Sequence, residues 1–209
     1  MRTPKFQGET AIICGTGPSV TEHVIDLCNK AKAEGKVRLF GINLSYQYFD
    51  VDVMNACNYQ FYDYYYPRDE KLRNGKFDKW TTRPELKGKY PTVEYIEEIW
   101  IPGFSTDPSK ISAHHGSSAQ AMNLALHYGI KRQLLIGFDM RHKDKRHYFG
   151  EYPEPMRHIT RNLGPDGELI GLIKEMETIK PEDYDIEIIN CTPGSAMTCF
   201  PMGRLEDYL

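Results

Sequence analysis

The sequence predicts an α/β fold, a single Rossmann-like domain over residues 1–209 built on a mostly parallel, doubly wound sheet. Three observations predict it. Short apolar runs alternate with helical periodicity along the chain, the pattern that places helices on both faces of a parallel sheet. A glycine-rich turn, Gly15-Thr16-Gly17-Pro18-Ser19, follows directly on the first apolar run, Thr10–Cys14. The polar residues of chemical interest fall just after predicted strands, and a sheet of this kind binds its ligands at the carboxyl ends of its strands.

Taken in order, Thr10–Cys14 reads as the first strand and Pro18–Glu34 as the first helix, ended by Gly35. Glycines at the turn allow a sharp bend and close approach of an anion to backbone N–H groups. Pro18 is pre-set for a first helical turn, and Ser19 adds a hydroxyl. The turn has neither the third glycine of a dinucleotide fingerprint nor the lysine of a Walker loop. Val37–Ile42 is the second strand, ending at Asn43, and Val51–Cys57 the third, leading through Asn58 into an aromatic segment, Tyr59–Tyr66. Arg68–Pro91, charged and broken by glycines and prolines, reads as irregular surface. Val93–Ile101 is a strand and Ser117–Tyr128 a helix with Ala121, Leu124, Ala125 and Tyr128 on one face. Gln133–Phe138 is the most apolar strand, running into Asp139. Arg141–Pro165 is a long polar segment, a lid near residues 141–165. Asp166–Ile179 reads as a helix capped by Asp166, Asp185–Asn190 as the last strand, and the tail turns at Gly194-Ser195.

The chain has 209 residues, a formal charge of −3 and 26% charged residues, ordinary for a globular domain and without a global basic field for nucleic acid. Five cysteines without a C-x-x-C pair read as reduced thiols, which suits a cytoplasmic protein. No apolar run approaches the ~20 residues that span a bilayer, and Met1–Glu9 has no signal-peptide core.

The run Ile12-Ile13-Cys14-Gly15-Thr16-Gly17-Pro18-Ser19, then Asn43, Asn58, Gly116-Ser117-Ser118-Ala119-Gln120-Ala121 and Leu134-Leu135-Ile136-Gly137-Phe138-Asp139 resembles the bacterial sialyltransferase-like glycosyltransferases. Phage and prophage proteins that share Gly-x-Asp-Met and a His-rich segment look closer still, and pterin pyrophosphokinases belong to the same wider group. The resemblance spans roughly residues 10–195. It implies a nucleotide-activated sugar donor, in that family a CMP-linked one, with the turn Gly15, Thr16, Gly17, Pro18 and Ser19 at the donor phosphate and sugar, Asn43 and Ser117 on the nucleotide or the transferred group, and Asn58, Ser118 and Asp139 in the same motifs. The donor expected for this chain is CMP- or UDP-linked, and Gly194 and Ser195 after the last strand wrap its base or merely form a turn. The resemblance also implies lid tyrosines, Tyr148 and Tyr152, on the departing phosphate, and His147 or His158 as general base. Three positions depart from the family: Thr16 replaces its asparagine, Arg141 the tyrosine two residues after its aspartate, and Ser118 its glycine.

The residues themselves bear other readings. Arg141, Lys143, Lys145 and Arg146 supply a positive field for a departing phosphate, or are a solvated loop. His142, His147 and His158 invite a metal, but no compact ligand spacing is present. Asp50-Val51-Asp52 matches a D-x-D pattern but lies away from the strand ends, as a chance match would. Asp139 orients a ligand or a lid residue, or caps a turn. The tyrosines of Tyr59–Tyr66 stack on a ligand or pack on the sheet, and Cys57 and Cys191 read as buried thiols. The expectation is a glycosyltransferase whose acceptor is a glycan, a small molecule or a DNA base. An ATP-dependent pyrophosphokinase with Mg²⁺ and a non-catalytic nucleotide-binding phage protein are the alternatives, and association with a second copy stays open.

Overall fold

The computed structural model describes residues 4–112, 116–142, 145–156 and 163–209. A seven-stranded sheet runs through them, with strands β1 (Thr10–Cys14), β2 (Arg38–Ile42), β3 (Val53–Asn55), β4 (Asp78–Thr81), β5 (Val93–Tyr95), β8 (Arg132–Ile136) and β9 (Glu187–Asn190). Their order is β5-β4-β3-β2-β1-β8-β9, and every neighbouring pair is parallel. The chain therefore builds outward from β1 to β5, then returns to the other side of β1 with β8. That reversal makes the β1/β8 boundary the topological switch point, where open parallel sheets leave a crevice.

Both faces of the sheet are covered, and the alternation of strand side chains shows how. Ile12, Cys14, Leu39 and Ile136 enter one apolar cluster, where they meet α1 (Glu22–Ala33), α2 (Tyr59–Tyr65) and α3 (Glu70–Asn74). Ala11, Ile13, Phe40 and Leu135 enter the other, against α4 (Ser117–His127) and α5 (Ile170–Met176). Two buried faces require continuous apolar runs rather than alternation, which is why β1 and β8 stand out in the sequence. The Rossmann-like α/β fold and its parallel sheet are as expected. Among the described residues no helix is long and apolar enough to cross a membrane.

Several elements differ from the sequence reading. Arg68–Pro91 is not irregular: it contains α3 and the interior strand β4. Lys79, at the centre of β4, hides the strand in the sequence, yet it is only 2% exposed. Its stem is buried while Nζ reaches the carbonyls of Gly75 (2.7 Å) and Phe77 (3.0 Å). Val93–Ile101 is two strands, β5 and β6 (Glu97–Ile99), and β6 pairs with β7 (Lys110–Ser112) in a separate two-stranded sheet. Helix α1 starts at Glu22, where the Thr21 hydroxyl accepts from the Val24 N–H, so Pro18 and Ser19 form a turn ahead of it. Asp166 does not cap α5: the helix begins four residues later, and Asp166 lies in a turn where its N–H meets Glu168 Oε2.

Candidate functional site

The glycine turn is held against the end of β8 by its own backbone. Gly15 N–H donates to the Ile136 carbonyl at 2.9 Å and Gly17 N–H to the Gly137 carbonyl at 2.9 Å. The approach is possible only without side chains: a Cβ on Gly15 would stand 2.6 Å from the Gly137 oxygen, and one on Gly17 would strike the same oxygen at 2.6 Å and the Asp139 carboxylate. Asp139 completes the clamp. It accepts from Ser19 N–H at 3.1 Å and from Ser19 Oγ at 2.8 Å. Burial pushes its carboxyl above the ordinary range, against the pull of those two hydrogen bonds. The N–H groups of Gly15, Gly17 and Ser19, which the sequence offers to a phosphate, are thus directed at the protein itself.

A strap from the lid segment crosses this turn. Tyr148 N–H donates to the Thr16 carbonyl at 3.2 Å, and His147 Nδ1 lies 3.1 Å from Thr16 Oγ1. His147 stacks on Phe149 at 5.0 Å and meets Tyr152 edge-on at 5.0 Å. Burial, with His142 nearby, holds the His147 imidazole down at about 4. It is neutral at pH 7 and a weak proton acceptor, far from the near-neutral value a general base needs. The strap places the two lid tyrosines differently. Tyr148 packs against Tyr48 and Phe49, with its hydroxyl beside Ser45, whose Oγ already donates to the Cys14 carbonyl. Tyr152 lines the cavity described next.

That cavity, about 310 Å³, opens at the switch point. Thr16 and Gly17 after β1, Ile42 and Asn43 at the end of β2, and Gly137–Arg141 after β8 form its floor. Gly116, Ser117 and Ser118 at the start of α4 form one wall, and His142, Arg146, His147 and Tyr152 the other. Asn43 has φ 52, a left-handed conformation in which asparagine is tolerated better than most residues. The start of α4 has no side-chain cap, because Gly116 occupies the N-cap. Unsatisfied N–H groups at a helix start carry positive partial charge.

Three buried polar atoms around this cavity have no hydrogen-bonding partner among the described residues: Arg141 Nε, His142 Nδ1 and the Tyr152 hydroxyl. Tyr152 is 7% exposed, and its hydroxyl faces Asn43 without a hydrogen bond of ordinary geometry. Arg141 is oriented by pairing with Glu168 through the backbone and by a 3.6 Å ion pair between Nη2 and Glu168 Oε1. Met140 and His142 are tied to the same return of the chain by Leu169 N–H to the Met140 carbonyl and His142 N–H to the Gly167 carbonyl. Burial and Arg146 lower the His142 pKa. A buried donor without a partner costs roughly 1–3 kcal/mol, which a ligand that satisfies it returns.

The remaining candidates make local contacts where the structure describes them. Asn58 lies outside the cavity and caps α2, its side chain accepting from Gln60 N–H at 2.8 Å. Gly194 is left-handed at φ 67, and Ser195 Oγ donates to the Phe138 carbonyl at 2.6 Å, so this pair fixes the tail against the end of β8. Phe61, Tyr62 and Tyr65 are buried in the core, the packing alternative for the aromatic group. Asp50 and Asp52 both pair with Lys32, and Asp52 accepts from Leu39 N–H, which accounts for the D-x-D match. Cys191 is buried, while Cys57 is half-buried and accepts from Ser117 Oγ at 3.0 Å. His158 and Lys143 lie outside the described residues. Among the described residues no three His, Cys, Asp or Glu side chains gather so as to hold a metal ion.

No family model, no curated protein and no solved structure matches this chain.

The strand ends at which the sequence gathers its candidates are the ones that line this cavity, while some features of the cavity are not evident from the sequence. Tyr152 was a lid candidate, yet its unsatisfied hydroxyl depends on the strap's path. The uncapped α4 start had a signal, Gly116 where serine, threonine or aspartate would be favoured. His142 entered only as part of a histidine cluster.

Proposed function

We propose that this chain is a transferase that uses a nucleotide-activated sugar, with a pyrimidine nucleotide as carrier, and binds it in the switch-point cavity. The observation that carries the reading is the pair of unsatisfied donors there, Arg141 Nε and the Tyr152 hydroxyl, beside a start of α4 that has no side-chain cap. Such a set suits a group that accumulates negative charge as a bond breaks, as a departing nucleotide phosphate does. Arg141 and Tyr152 then take the phosphate oxygens. Asn43 and Ser117 contact the nucleotide or the transferred sugar, and His142, with an unengaged ring nitrogen, is better placed than His147 to accept the acceptor's proton. The resemblance of the short motifs to sialyltransferase-like enzymes agrees with this reading.

Asp139, the carboxylate that a pyrophosphokinase would place on Mg²⁺, accepts from Ser19 through both its oxygens. The test is a thermal-shift and calorimetric screen of CMP, UDP, ADP and ATP with and without Mg²⁺, followed by the CMP- and UDP-sugars. A pyrimidine nucleotide at 100-fold over its Kd adds about 2.7 kcal/mol and a clear rise in Tm. A response confined to ATP with Mg²⁺, or to none of the nucleotides, overturns the reading.

A further inference from the structure

A second cavity, about 320 Å³, lies behind the clamp. Gly137 lines both cavities. Ser19 lines this one while its partner Asp139 lines the other, so the hydrogen bonds between them form part of the partition. The second cavity opens on the face of the sheet that carries α1. Val20, Ile136, Cys191 and Leu205 in its wall all belong to the apolar cluster of that face, and Val24 packs against it. Its origin is in the topology. Between β8 and β9 the chain passes through α5, whose Ile173 and Met176 join the cluster on the opposite face. A parallel sheet needs both faces covered. On the α1 face the tail after β9 contributes the cover, running beside Asn190 through Met202 and Gly203. Leu205 is buried there, and Tyr208 and Leu209 pack against the same cluster. The cavity is the space left between that tail and the first turn of α1.

The lining states what suits this space. Val20, Val24, Ile136 and Leu205 supply apolar walls. The polar side chains among them are either answered or uncharged. Ser19 gives both its hydroxyl and its N–H to Asp139. Burial, with Glu206 and Asp207 nearby, pushes the Cys191 thiol up to about 12, so it carries no charge at pH 7. Arg204 and Glu206, both exposed, face each other across 3.9 Å and bring opposite charges. Among the described residues, no buried side-chain nitrogen or oxygen in this lining lacks a partner. This is the reverse of the switch-point cavity. A charged group placed here would give up its hydration and gain no partner, whereas an uncharged apolar group only leaves water. The volume stands at the lower end of the range of small-molecule sites.

We propose that this cavity is a second ligand site, for a small uncharged apolar molecule of the size of a monosubstituted benzene. The ligand lies against Val20, Val24, Ile136 and Leu205, beside the Cys191 thiol. The site is independent of the nucleotide reading.

Methyl-labelled protein is titrated with toluene, benzylamine and benzoate, which share a ring and differ in charge. The methyl resonances of Val20, Val24, Ile136 and Leu205 report on this cavity alone. The expected result is saturable shifts with toluene, at least about tenfold tighter than with either ion. Val24→Phe, at a half-buried position, places a ring in the cavity and should weaken toluene at the remaining methyls by about tenfold or more. The three-probe comparison in the unaltered chain is decisive whether or not Val24→Phe folds. No saturable shift with toluene, equal affinities for the three probes, or an unchanged toluene affinity in folded Val24→Phe overturns the proposal.

Discussion

On the β1 side of the switch-point cavity the glycine turn directs its donors into the protein: Gly15 and Gly17 to the end of β8, Ser19 to Asp139. Elsewhere around the cavity the corresponding groups are unanswered: the start of α4 has no side-chain cap, and among the described residues Arg141 Nε, His142 Nδ1 and the Tyr152 hydroxyl lack partners. The contrast separates scaffold from cradle. A motif that looks like a phosphate loop is here a clamp that sets the geometry of the crevice. On the function proposed above, binding falls to the groups whose hydrogen-bonding potential the fold leaves unsatisfied.

Breaking the clamp should have the largest effect. Gly17→Ala forces a Cβ against the Gly137 oxygen and the Asp139 carboxylate. It is expected to destabilise the protein by about 2–3 kcal/mol in urea unfolding, the cost of overpacking. A change within error would mean that the turn is freer than its contacts indicate.

The strap comes next, through pH. The His147 imidazole, at about 4 when folded, titrates near 6.5 when unfolded. Between those values the unfolded chain binds more protons, so the contribution to stability is complete above pH 6.5 and is lost as pH falls toward 4. Its size is on the order of 3 kcal/mol. His142, also lowered, adds to the loss with the same sign. His147→Gln should flatten most of the stability change measured between pH 7 and pH 4; an unchanged slope would place the titration elsewhere.

Two smaller effects divide the walls. Tyr152→Phe removes an unsatisfied hydroxyl, so stability should hold or rise slightly while nucleotide affinity falls about tenfold, read by calorimetry. Thr16→Val breaks the pair with His147 and should cost about 1 kcal/mol of stability. Were Thr16→Val to weaken binding more than Tyr152→Phe, the assignment of scaffold and cradle would be reversed.

The same contrast explains what was legible in the sequence. β1, β8 and the glycine turn announce themselves because a doubly buried strand must be apolar and a close backbone crossing must be glycine. β4 does not, because Lys79 sits in its centre, and nothing in the residue types shows that its ammonium curls back onto the carbonyls of Gly75 and Phe77 just ahead of it. The split of Val93–Ile101 into two sheets is equally silent, since Tyr95 and Glu97 suit either. Within the site, Asp139 was visible as the end of an apolar strand, but its partner Ser19 is 120 residues away in sequence. Unsatisfied atoms are the least legible of all: they are defined by what does not reach them.

The most direct test compares two variants, one from each wall, in CMP binding by calorimetry. Arg141→Gln removes a cradle donor, and Ser19→Ala loosens the clamp without touching the α4 side. The account predicts a loss on the order of 30-fold in Arg141→Gln, as for a hydrogen bond to a charged group, and a change of threefold or so at most in Ser19→Ala. A greater loss in Ser19→Ala than in Arg141→Gln would contradict it and return the phosphate to the glycine turn.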